Sequence, residues 1–315
     1  MAVQQIFALL IGINEYGQAP LKGCVNDVQR IADYLKTLPS KAYRADIATL
    51  LNGEAIKTRI VGKIKDQLGK ASAGDIALLY FSGHGVQEEA PTWLSKYEHD
   101  NKIECVVCYD QGEEDFLLAD KEMRYVFNQA VRDPDVRVIT IFDCCHSGDN
   151  MRAFLGGHTP RRIPRTFPER GFDKFIFAHE FTEEQLEQDL NTLLPVRHDL
   201  HISACRAYQQ AFEDKELHQG IFTDFLFKLL EARNSNVRYI DIRQIAKMRF
   251  SSRHDKQIPE VTVRRKGNLS LYDGWLGRTL DTDRLAIRAD HVSAETGWVI
   301  NAGQMHGLKD GDEVQ

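Results

Sequence analysis

Strand-like apolar runs and helix-period segments take turns along this chain, and that alternation limits the folds open to it. "IFALLIGIN" (6–14) is apolar without interruption, as in a strand covered on both faces. "NDVQRIADYLKTL" (26–38) places Val28, Ile31, Ala32, Leu35 and Leu38 at helical spacing. Strand patterns recur at 46–52, 75–85, 103–110, 136–145 and 198–205, and helix patterns at 54–71, 120–131, 220–231 and 240–250. The order predicts an α/β protein with a mainly parallel six-stranded sheet and helices on both faces. Ligands bind such sheets beyond the carboxyl ends of the strands. The tips of two strands, at His84 and Cys145, both fall there.

Composition excludes several classes. The net charge of −6 leaves no basic field for a nucleic-acid backbone. No apolar run reaches the roughly 18 residues that span a bilayer. The amino-terminal stretch has no basic segment and no small-residue cleavage site, so it reads as a strand, and the chain as cytoplasmic with reduced thiols. Six cysteines in 315 residues are too sparse for a disulfide framework. Cys105 and Cys108 have zinc-like spacing, but no second ligand pair follows, and two half-buried strand thiols is the better expectation.

Two stretches depart from the pattern. Residues 146–180 form a long basic segment with prolines and no period, expected to be a loop. After residue 278 the chain turns to short strands and Gly-Asp punctuation. We expect a main domain over 1–278 and, over 279–315, the start of a small β-rich module that is cut short.

The chemistry is carried by "YFSGHG" (80–85) and "DCCHSG" (143–148). A thiolate is a strong nucleophile and an imidazole can generate it. A cysteine and a histidine at two strand ends of one parallel sheet meet that need. Cys145 and His84 lie 61 residues apart and, with "LKGCVNDV" (21–28), carry a resemblance to the caspase clan. The chain is most similar to metacaspases and their bacterial relatives, the orthocaspases. The resemblance covers about residues 5–265, including "SACRAYQQAFED" (203–214).

The resemblance implies a caspase-like three-layer sandwich and a cysteine endopeptidase that cuts after Arg or Lys. Cys145, before His-Ser-Gly, matches the nucleophile. Cys144 takes the variable position, and its side chain should face the other side of the strand. His84 matches the general base. Gly85 and Cys145 would supply the oxyanion-hole N–H groups. Cys24, Asp27, Ser82 and Asp143 match the primary specificity pocket, where two carboxylates favour a Lys or Arg side chain. His146 adjoins the nucleophile but faces away from it, so it is not taken as the base.

Such an enzyme could cut itself in its own basic segment, where Arg161, Arg162, Arg165 and Arg170 are candidates. No cofactor is required. Relatives often use calcium, for which Asp110 and Asp120 are the nearest candidates. The family's paired acids are here a single Asp120 followed by Lys121, so an acidic solvated segment is expected instead. Partners would be protein or peptide substrates with exposed Arg or Lys, without nucleic acid or membrane, and with regulation through the carboxy-terminal module or an activating partner. An inactive or effector-gated scaffold of the same fold is the alternative. Acyl transfer on the same pair is a third.

Overall fold

The computed structural model describes residues 3–17, 19–109, 115–145, 158–206, 208–251, 257–264, 267–278, 280, 289–293 and 297–300. In chain order the larger elements are β1 (Gln4–Gly12), α1 (Cys24–Thr37), β2 (Tyr43–Leu51), α2 (Lys57–Lys63), β3 (Ile76–Ser82), β4 (Gly85–Glu89), β5 (Lys102–Val107), β6 (Leu117–Ala119), α3 (Asp120–Ala130) and β7 (Arg137–Asp143). They continue with β8 (His158–Pro160), β9 (Arg162–Phe167), α4 (Glu183–Leu193), β10 (Leu200–Ser203), β11 (Phe212–Asp214), β12 (Gln219–Gly220), α5 (Ile221–Ala232), α6 (Tyr239–Ser251) and β13 (Glu260–Val263). Two further strands, β14 (Ala289–Ser293) and β15 (Gly297–Ile300), pair as an antiparallel hairpin.

The central sheet has six strands in the order β13-β10-β7-β3-β1-β2. All neighbours run parallel except β10 and β13. Period-two geometry sends alternate residues of β1 to opposite cores. Ile6, Ala8 and Leu10 pack with Val28 and Ile31 of α1, Phe222 and Leu226 of α5 and Ile242 of α6. Leu9 and Ile11 pack with Ile60 of α2, Val126 and Phe127 of α3 and Leu186 of α4. Helices therefore cover both faces, and the strand interiors are largely apolar, as their sequence pattern requires.

The strand count matches the sequence expectation, but one member differs. The run at 103–110 is not a central strand. It forms β5 of a separate four-stranded sheet, β6-β5-β4-β9. The sixth central strand is β13, whose "EVTV" is too short to stand out. Cys105, on β5, and Cys108, just after it, are fully buried and in no disulfide, not half-buried, because they pack in the core shared with α3 and the aromatic cluster around Trp93. The described part of the basic segment, from residue 158, holds more regular structure than the expected loop. Residues 158–160 and 162–167 are strands. Among the described residues no helix is long and apolar enough to cross a membrane.

One side chain ties β1 to α1. Asn14 Oδ1 accepts from the backbone N–H of Cys24 at 2.8 Å and of Val25 at 3.3 Å. It thus satisfies the first donors of a helix whose preceding residue, Gly23, has no side chain to do so. Asn14→Ala should destabilise the fold by about 1 kcal/mol, the usual value of a helix cap. Urea unfolding in a Cys145→Ala background checks this. An unchanged midpoint would show that the cap contributes nothing.

Candidate active site

The carboxyl ends of β3 and β7 are neighbours, with Ser82 registered against Asp143. Just beyond them stand His84, in the tight turn between β3 and β4, and Cys145. Cys144 packs into the core on the α3 side and Cys145 into the core on the α5 side. The two thiols therefore leave the strand in opposite directions, as pleated geometry expects.

His84 is held at three points. Its backbone N–H donates to the Tyr16 hydroxyl at 3.0 Å, and its carbonyl accepts from Val107 N–H at 3.0 Å. Nε2 lies 2.7 Å from the Ala19 carbonyl oxygen. A carbonyl can only accept, so Nε2 carries the proton and Nδ1 is left as the basic nitrogen. Nδ1 is buried without a hydrogen bond. The Tyr16 ring lies against the imidazole, centroids 4.5 Å apart. Burial, opposed by the Ala19 and Arg161 carbonyls, brings the imidazole down to about 4. Burial likewise pushes the Cys145 thiol up to about 12. The resting pair is thus a neutral thiol and a neutral imidazole.

The pocket beside this pair is full, and its occupant comes from the same chain. Arg161 is completely buried. Its Nη2 lies 2.7 Å from Asp27 Oδ2, and its Nη1 lies 3.0 Å from Asp143 Oδ2. Nη1 also donates to Ser82 Oγ at 2.9 Å, and Glu213 Oε2 stands 3.6 Å from Nη2. Cys24 is buried alongside, its thiol pushed up to about 12 by burial despite the nearby guanidinium. Cys24, Asp27, Ser82 and Asp143 are therefore brought together around one side chain. Three carboxylates face one cation, and desolvation raises Asp27 to about 7 even with Arg161 beside it.

The Arg161 backbone is placed as closely as its side chain. Its carbonyl oxygen accepts from Gly85 N–H at 3.3 Å and Cys145 N–H at 3.4 Å. Cys145 Sγ is 3.0 Å from the same oxygen. On the amino-terminal side, β8 pairs antiparallel with β11, Pro160 opposite Phe212 and His158 opposite Asp214. On the carboxy-terminal side, β9 lies parallel to β4. The chain runs through the site extended, with the Arg161–Arg162 peptide bond at the thiol.

The other arginines of the segment are elsewhere. Arg162 begins β9, Arg165 is exposed over the Phe167 ring, and Arg170 enters a different set of carboxylates. Two contributors had no signal in the motifs. Glu213 reaches the pocket from "QAFED" and also accepts the backbone N–H groups of Lys22 and Gly23, each at 2.9 Å. Ala19 acts through its carbonyl, which no side-chain pattern reveals.

Calcium does not fit the described acids. Asp110 and His146 lie outside the described residues. Lys121 Nζ bonds Asp120 Oδ2 at 2.6 Å and also bonds Glu98. Asp115 and Glu122 are both paired with Lys57. Oδ1 of Asp120 is without a hydrogen bond, but calcium takes six to eight oxygens. Among the described residues no group of three or more His, Cys, Asp or Glu could hold a metal ion.

Gly220 forms the pocket floor, and its N–H donates to Asp27 Oδ1 at 3.0 Å. A Cβ there would collide with Asp143 Oδ2 and lie 2.6 Å from Arg161 Nη1. In a Cys145→Ala background, trypsin should therefore leave the bond after Arg161 intact, and Gly220→Ala should expose it. Equal protection in both proteins would show that Arg161 does not occupy this pocket.

Comparison with known proteins points the same way. A caspase-domain family model matches residues 5–269. Metacaspase-2 of Trypanosoma brucei brucei is 31% identical over 159 residues, covering 47% of this chain and 43% of its own length. Metacaspase-4 of Arabidopsis thaliana is 32% identical over 184 residues, covering 54% of this chain and 42% of its own. The chain thus spans less than half the length of these curated relatives. A solved Geobacter sulfurreducens protein superposes with a TM-score of 0.59 at 20% identity, over 88% of this chain and 100% of that one. This likeness concerns the fold alone. With a sheet, a thiol, an imidazole and a family match that extends over most of its length, the chain belongs to the caspase domain family.

Proposed function

We propose that this protein is a cysteine endopeptidase that cleaves after Arg or Lys, and that its first substrate is its own Arg161–Arg162 bond. One observation carries this. Arg161 fills a pocket of three carboxylates while its carbonyl oxygen takes two backbone N–H bonds beside a thiol. The metacaspase relatives support a thiol peptidase of this kind.

The chemistry follows from the placement of the groups. Cys145 gives its proton to His84 Nδ1 as Sγ attacks the Arg161 carbonyl carbon. Negative charge develops on the oxygen facing Gly85 and Cys145 N–H, and each such donor typically supplies about 3–4 kcal/mol in the transition state. Collapse breaks the C–N bond, and imidazolium returns the proton to the departing Arg162 amine. Water then hydrolyses the thioester, leaving a carboxyl group on Arg161 and restoring the thiol.

The acid pocket selects a cation and rejects an Asp side chain by like charge. It binds Arg by two parallel contacts, whereas Lys offers a single point charge. A second substrate can enter only when residues 158–161 leave, so the uncut state is latent. The alternative, a gated scaffold, draws support from this same occupancy.

Intact-mass measurement of the wild-type protein should give fragments 1–161 and 162–315. Cys145→Ala should stay whole, and Cys144→Ala should still be cut. Persistence of the uncut wild type, with no hydrolysis of Arg, Lys or Asp peptide reporters, would favour the scaffold.

The pH dependence has a definite sign. Neutral His84 is the base, so the first-order rate is lost as pH falls through its pKa in the assembled site. That value is about 4, so self-cleavage should persist well below pH 6.5. A time course from pH 4 to 8, with Cys145→Ala confirming that the fold survives, checks this. Because the Asp27 carboxyl lies at about 7, a midpoint near 6.5 contradicts the buried imidazole only where Asp27→Asn keeps it.

A further inference from the structure

Arg161 has a counterpart nine residues later. Arg170 Nε lies 3.1 Å from Glu88 Oε1, Nη1 lies 3.2 Å from Asp115 Oδ1, and Nη2 lies 3.0 Å from Glu122 Oε2. Nη1 also donates to the Leu117 carbonyl at 3.1 Å, and the guanidinium stands 4.4 Å over the Phe175 ring. Glu88 and Glu122 are buried. Lys57 supplies a second cation, 2.5 Å from Asp115 and 3.0 Å from Glu122. Nη1 and Nη2 together make three hydrogen bonds and one face of the guanidinium covers a ring, a forked, planar arrangement that a lysine could not reproduce.

The location of this cage matters more than its strength. Glu88 lies on β4, the strand that begins with Gly85, whose N–H donates to the Arg161 carbonyl. β9 leaves that carbonyl alongside β4, but the ladder is irregular at the start. Gly85 faces Arg162, whereas two residues on Gln87 faces Thr166. Two extra residues of β9 are therefore taken up beside the peptide bond. Regular pairing resumes at Thr166 and Phe167, next to Arg170. β4 and β9 pair at only three registered positions, so contacts beyond Phe167 add to what holds the strand.

We propose that Arg170 is a positioning residue for self-cleavage. It pins the segment after the scissile bond, so that the Arg161 carbonyl is held between Cys145 and the two N–H donors. The proposal rests on Arg161–Arg162 as the cleaved bond. Arg170 touches neither the thiol nor the carbonyl and acts through β9. A small reporter with no residues after the cut does not use β9, and its hydrolysis is not expected to depend on Arg170. A residue that merely stapled the fold would affect both reactions alike.

The test compares wild type, Arg170→Lys and Arg170→Ala in two assays. The first follows first-order cleavage of pulse-labelled full chain made by in vitro translation. The second measures kcat/KM of the processed protein on a reporter with Arg before a fluorophore. Arg170→Ala should slow self-cleavage by about tenfold or more, as small misplacements do. Arg170→Lys should fall between, and reporter kcat/KM should stay within about twofold. Parallel loss in both assays, or no change in either, overturns the proposal. If the wild type is not cut at Arg161–Arg162, self-cleavage falls and the proposal with it. If it is cut there and Arg170→Ala keeps pace, the positioning role alone falls. Should Arg170→Ala lose protease resistance in the Cys145→Ala background, Arg170→Lys and Asp115→Asn decide by the same comparison.

Discussion

The site is organised by a single buried cation held between Asp27 and Asp143. Neither the guanidinium nor the two carboxylates is exposed at all. Removing one partner from such a cluster costs about 3–5 kcal/mol, because it strands an uncompensated charge. Asp27 comes from α1, Asp143 from β7, Ser82 from β3 and Glu213 from β11. Four elements far apart in sequence are therefore tied through one side chain of a fifth segment. The thiol and imidazole need no contact with that cation. They lie at the neighbouring strand ends, and the backbone of Arg161 is delivered to them.

Much of this was legible in the sequence, for identifiable reasons. Uninterrupted apolar runs mark strands buried on both faces, so β1, β3 and β7 stand out. The opposed directions of Cys144 and Cys145 follow from pleating alone. Arg161 could be named only as one of four arginines, because no local pattern separates a side chain that enters a pocket from one that remains in solvent. Arg165, four residues away, is exposed. β5 was assigned to the wrong sheet because an apolar run declares burial and not its neighbours. Glu213 and the Ala19 carbonyl become part of the site only once the chain has folded back.

Charge is managed in the same way elsewhere. Acidic side chains around the start of α3 are paired with the chain's own ammonium and guanidinium groups: Lys57, Lys121 and Arg170. They make the acidic region part of the packed structure, continuous with the aromatic cluster of Trp93, Phe172, Phe175 and Phe177.

Under the proposed self-cleavage, the order of strands carries a consequence for the life history of the molecule. β7 and β10 are adjacent in the central sheet, yet β8 and β9, with the bond at the thiol, lie between them in sequence. A break at that bond leaves a parallel ladder whose two rungs belong to separate polypeptides. Before the break, the two halves meet at the high effective concentration of a single chain. Afterwards, a molecule that unfolds must find its other half by diffusion. Its persistence then rests on how slowly it opens rather than on how readily it refolds.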